Sequence, residues 1–177
     1  MKQAEIAGGT LTAPNELPSA GRRLNDIELA SVLGPKIALS DYRGRANLVL
    51  IAADDGGATA ALVERIARQY AQIKNEDAVV LLILQDSPEA ALRKAQDLKL
   101  PYPVLIDEDG RVHHELGATG ATGKTGTAIY VTDRFGEVFG AYRTREGTAL
   151  PSYEDIVHML EFVNSQCPEC EAPEWPA

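Results

Sequence analysis

Cysteine is scarce in this chain: its 177 residues include two, Cys167 and Cys170, and residues 1–166 contain none. Two cysteines three positions apart cannot staple distant segments, which excludes a disulfide-built scaffold. Long apolar runs are missing as well. The longest, AVVLLIL at 78–84, falls far short of the roughly 20 residues a membrane-spanning helix needs. The opening residues MKQAEIAGGT carry one lysine and no apolar stretch behind it, so no secretory leader is expected. Basic charge is also short, with 17 Lys and Arg against 26 Asp and Glu and a net charge of −9. An acidic surface without a basic stripe argues against nucleic acid and anionic lipid as partners. A soluble, cytoplasmic protein is the expectation.

The acidity is concentrated at one end. Residues 151–177 hold Glu154, Asp155, Glu161, Glu169, Glu171 and Glu174 and no Lys or Arg. Apolar content of 45% and charged content of 24% fit one ordinary globular core. The organisation expected is an irregular arm at 1–20, one domain at 21–165, and an acidic tail at 166–177.

Within the domain, Ile27/Leu29 and Ile37/Leu39 alternate around Gly34-Pro35, which reads as a β-hairpin. NLVLIAA (47–53) and AVVLLIL read as buried strands. Between them Leu62, Ile66, Tyr70 and Ile73 line one helical face, with Thr59 as the N-cap candidate. Ser87-Pro88-Glu89 opens a second helix through a capping serine and a proline at its first position, with Leu92, Ala95 and Leu98 as its apolar side. A strand at 104–106 ends in the turn DEDG. TAIYVTDRFGEVFGAY reads as two strands around Asp133–Gly136. A last helix starts near Ser152, uses Ile156, Met159, Leu160 and Val163, and ends near Ser165. The order β-α-β-α-β, then hairpin and helix, gives an α/β sandwich with a mixed sheet.

Three stretches invite a site. GATGATGKTGT (117–127) is one position out of register for a phosphate loop, because the required glycine falls on Ala118; a connector is expected. His113 and His114 are adjacent, which places them poorly as joint metal ligands, and surface positions are expected. Asp54 and Asp55 suit a helix entry better than a hard-cation site.

Four segments together resemble the thioredoxin-like fold, and within it the peroxiredoxin (alkyl hydroperoxide reductase/thiol-specific antioxidant, redoxin) family. They are GRRLNDIEL (21–29), GPKIALSDYRGRANLVLI (34–51), LQDSPEAALRKAQDLKLPYPVLIDEDGRV (84–112) and AIYVTDRFGEV (128–138). The resemblance implies a thioredoxin-like three-layer α/β sandwich with a mixed central sheet, peroxiredoxin-like in type. It also implies a catalytic cysteine at the start of the first helix, where unpaired N–H groups and the helix dipole favour a thiolate. This chain reads AADDGGATAAL (52–62) there. The ancestral site region is therefore Asp54, Asp55, Gly56, Gly57 and Thr59. Thr127 joins it, standing where thioredoxins carry a cis-proline and peroxiredoxins an arginine. Leu24-Asn25 replace the family's Ala-Pro. Orthodox peroxidase chemistry is not expected at this junction.

What remains is Cys167-Pro168-Glu169-Cys170. As a redox pair it would exchange disulfides with a thiol or disulfide protein partner, and Cys167, Pro168 and Trp175 resemble the resolving-cysteine arm of two-cysteine peroxiredoxins. As a metal knuckle it would need zinc shared between two chains of a homodimer, or His158 plus water, since zinc takes about four ligands. As a structural tail it would do neither. The leading expectation is a redoxin-family oxidoreductase of antioxidant type, working through Cys167 and Cys170 without a cofactor. The alternative is a non-catalytic binding or scaffold module whose tail cysteines clamp a metal or a dimer.

Overall fold

The computed structural model describes residues 17–119 and 123–166. Most of the expected arm, the centre of the glycine-rich loop, and the tail with Cys167 and Cys170 lie outside the described residues. The architecture grows from β3 (Asn47–Ala53), whose seven residues are all buried. Because strand side chains alternate, Val49, Ile51 and Ala53 enter one core, and Leu48, Leu50 and Ala52 the other. β3 pairs in parallel with β4 (Ala78–Leu84) and antiparallel with β6 (Ala128–Thr132). β4 continues in parallel to β5 (Val104–Ile106). The hairpin of β1 (Glu28–Ser31) and β2 (Ile37–Ala38) adds beyond β5, and β7 (Val138–Arg143) beyond β6. The seven-stranded order is β2-β1-β5-β4-β3-β6-β7.

Two successive right-handed crossovers moving the same way along a sheet put their helices on one face. α1 (Gly57–Arg68), α2 (Tyr70–Asn75) and α3 (Pro88–Asp97) accordingly share a core with α5 (Tyr153–Ser165). The opposite face is covered by α4 (Arg111–Glu115) and by Leu24, Ile27 and Leu39. The mixed sheet between two layers is the thioredoxin-like sandwich expected. No helix among the described residues is long and apolar enough to cross a membrane.

The expected strands, the hairpins, the Ser87 cap of α3 and the start of α5 near Ser152 are all present, and Ser152 caps that helix. Three local expectations differ. The first helix breaks at Gln69 into α1 and α2, because Tyr153 Oη donates to the Gln69 carbonyl at 3.1 Å and Tyr70 packs edge-on against Tyr102. The buried side of α3 is Ala91 and Ala95, with Leu92 and Leu98 only half-buried, since small residues let the helix sit close on the sheet. The DEDG turn is present, and it is followed by a short helix, α4, that was not among the expected elements.

Ile66 has no exposure and sits where α1 meets the sheet. Ile66→Ala is expected to lower unfolding free energy by about 2–5 kcal/mol, measured by urea denaturation. A loss below half a kilocalorie would contradict that packing role.

Candidate functional site

The site is built where β3 stops. Its last residue, Ala53, and the start of α1 are joined by Asp54, Asp55 and Gly56. A central strand has ladder partners on both edges, so the backbone groups just past its end need new ones. The Asp54 N–H donates to Thr127 Oγ1 at 3.2 Å, and the Gly56 N–H donates to Asp54 Oδ1 at 3.0 Å. Thr59 and Thr127 donate hydroxyls to the same Oδ1 at 2.6 and 2.9 Å. The two hydroxyl oxygens are also 2.7 Å apart, so two hydroxyl protons serve three short oxygen–oxygen edges. Thr127 is in turn held by its N–H on Thr144 Oγ1 at 2.9 Å. A side chain on Gly126 would put its Cβ 2.6 Å from that Thr144 oxygen, so the close approach requires glycine.

Thr59 is therefore not the N-cap. It lies inside the first turn of α1, 4% exposed, and the cap is Gly56 with no side-chain bond. Thr127 has no exposure and lies beside Asp54. Gly56 is limited by the Asp54 carboxylate, 3.0 Å from where a Cβ would stand, whereas Gly57 faces open space.

The two aspartates have different fates. Burial pushes the Asp54 carboxyl up, but the Thr59, Gly56, Thr127 and Asp54 backbone hydrogen bonds outweigh it and hold the group below its ordinary value. Asp55 is exposed and meets Lys94 Nζ at 2.8 Å, while the same ammonium reaches Asp86 at 2.9 Å. Burial lowers the Lys94 value, but hydrogen bonds to Asp55 and Asp86 raise it beyond that loss. Only Asp54 acts as the helix-entry acid; Asp55 is a surface clamp onto α3.

Sequence reasoning missed His113. It was expected on the surface with His114, yet His113 is fully buried and only His114 is exposed. Its Nδ1 lies 2.7 Å from Asp107 Oδ2, and its Nε2 lies 3.3 Å from the Ala53 carbonyl. Asp107 also accepts the N–H groups of Val112 and His113 at 3.1 and 2.7 Å, which fixes the start of α4. Burial raises the Asp107 carboxyl, but the His113 side-chain bond and these two N–H groups bring it below its ordinary value. The available signal was the setting of His113 among Val112, Leu116 and Ala118, an apolar pattern that places it inward.

Among the described residues, no three His, Cys, Asp or Glu side chains are grouped to hold a metal ion. Cys167 and Cys170 lie outside the described residues. The junction thus holds a carboxylate, two hydroxyls and backbone amides: groups that bind and orient by hydrogen bonds and carry no sulfur.

A family model described as the AhpC/TSA family matches residues 20–141, more than half of the chain. No curated protein sequence matches it. Among solved structures, the peroxidoxin BcpB from Mycobacterium tuberculosis is similar, with TM-score 0.71 at 19% identity, over 84% of this chain and 99% of that one. AhpC from the same organism gives 0.71 at 18%, covering 85% and 95%. AhpC of Enterococcus faecalis gives 0.71 at 16%, covering 91% and 100%. At such identities the likeness establishes the fold.

Both depressed carboxylates, Asp54 and Asp107, stabilise the fold above the unfolded carboxylate range, and that stability is lost as pH falls through their lower folded values. Urea unfolding across pH should show stability declining below about pH 4. Thr127→Val removes one donor from Asp54. It should cost about 1–3 kcal/mol at neutral pH and make the acid limb shallower, because Asp54 then titrates closer to its unfolded value. An acid limb parallel to that of the wild type would show that Thr127 does not set the Asp54 charge.

Proposed function

The chain belongs to the AhpC/TSA family, and from that premise we propose a redoxin-family protein without a peroxidatic cysteine, in which thiol–disulfide exchange is confined to Cys167 and Cys170. The observation that carries this reading is the β3–α1 junction. There the Asp54 carboxylate collects the Thr59 and Thr127 hydroxyls, and a carboxylate or hydroxyl cannot cycle between thiolate, sulfenic acid and disulfide as sulfur does. Cys167 and Cys170 are the only sulfur nucleophiles in the sequence. In exchange, one thiolate attacks a partner protein's disulfide and the second resolves the mixed disulfide. Two electrons pass to the partner, which leaves as a dithiol, and the pair ends as the Cys167–Cys170 disulfide. The neighbouring Glu169 and Glu171 disfavour a low-pKa thiol, which slows exchange and peroxide attack alike, since both need the thiolate.

A second reading, a binding module that keeps the fold for its surface, is favoured by one specific observation. Two adjoining cavities of about 490 and 450 Å³ meet at Asp54 and Asp55. Under this reading the tail cysteines clamp a homodimer or a shared zinc ion instead of exchanging disulfides.

Thiol titration after mild oxidation, with and without a disulfide substrate, separates the two. Exchange predicts that two thiols are lost together and that Cys167→Ser abolishes disulfide reduction. Peroxide consumption surviving in the Cys167→Ser/Cys170→Ser double variant would defeat the proposal outright. Loss of dimers on chelation, with no exchange in the wild type, would favour the clamp.

A further inference from the structure

The larger cavity lies between α1 and α3, over the carboxyl-terminal ends of β3 and β4. Its volume of about 490 Å³ falls in the usual range for small-molecule sites. The floor is apolar: Ala53, Leu82 and Leu84 from the strands, Val63 from α1, and Ala90 and Leu98 from α3. The rim carries Asp54, Asp55, Glu64 and Asp97 against Arg93 and Lys94. The adjoining cavity shares Ala53, Asp54, Asp55, Leu84 and Lys94 and adds Asp86. Five carboxylates thus face two cationic side chains, and Lys94 is already held between Asp55 and Asp86.

The Asp54 carboxylate supplies the directional element. Thr59, Thr127 and Gly56 all donate to Oδ1, and no described residue donates to Oδ2. One oxygen is fixed in the fold while the other keeps its acceptor capacity, on a residue that lines both cavities. An apolar body gains by covering the floor, a cationic N–H donor gains by meeting Oδ2, and an anion meets the surplus of carboxylates.

We propose that this cavity binds a small organic cation, an ammonium or guanidinium group on a compact aryl or alkyl body. The head donates to Asp54 Oδ2 and the body lies over Val63, Leu82 and Leu84. This deepens the binding-module reading and does not depend on exchange through the tail.

The test titrates benzylammonium, benzyl alcohol and benzoate into the ¹⁵N-labelled full chain, followed by amide shifts. Benzylammonium should give saturable shifts at residues 54–63 and 82–84, with affinity about tenfold above benzyl alcohol, and benzoate should give none. Asp54→Asn should bring benzylammonium down to the level of the alcohol. Ala60→Phe, at an exposed α1 position lining the cavity, should block both while leaving the spectrum folded. Equal binding of all three probes, or unchanged binding in Asp54→Asn, would overturn the cation assignment and leave the binding module standing. No saturable shift from any probe at about 10 mM would overturn both.

Discussion

β3 is covered on both faces and paired on both edges, so its termination is the constraint around which the site forms. Backbone groups leaving such a strand cannot be surrendered to water without exposing the core. The chain answers with three side chains from separate regions. His113 takes the Ala53 carbonyl, Thr127 takes the Asp54 N–H, and Asp54 takes the Gly56 N–H. Each of these is itself held, His113 by Asp107 and Thr127 by Thr144. Removing one partner of a buried polar contact leaves the other unsatisfied, so the His113 contacts with Asp107 and Ala53 tie the end of β3 to the β5–α4 turn.

The same arrangement separates what specifies the sheet from what closes its central strand. The sheet is specified by apolar alternation along β3, β4 and β6, which involves none of the junction's polar groups. The junction needs only donors and acceptors of the right reach, and a carboxylate with two hydroxyls supplies them. Fold and chemistry are therefore separable here. A sequence can keep the scaffold to within TM-score 0.71 of peroxidoxin structures while the end of its central strand holds oxygen ligands instead of sulfur.

What could be read in the sequence follows the range of the interactions involved. NLVLIAA and AVVLLIL announce buried strands because their signal lies within the segment. Ser87 and Ser152 announce helix starts because a cap bonds three residues ahead. Thr59 matched the same local pattern and was misplaced, since its true partners include Thr127, 68 positions away. The break at Gln69 depends on Tyr153, 84 positions along the chain. His113 is buried because α4 lies against the end of β3, a contact with Ala53 spanning 60 positions. Asp54 and Asp55 look alike in sequence and separate only when Lys94 on α3 comes within reach of one of them.

Asp54 joins these structural and functional strands in a single carboxylate. Oδ1 is committed to the strand end, and Oδ2 faces the proposed cation. A proton and a bound ammonium both neutralise the same charge, so they compete. Binding the cation holds the carboxylate ionised to lower pH, and lowering pH weakens the cation by the same free energy. Since the ionised carboxylate is also what Thr59 and Thr127 stabilise, a ligand on Oδ2 reinforces the hydrogen bonds that close the end of β3. Occupancy of the cavity and order at the junction are thus one equilibrium seen from two sides.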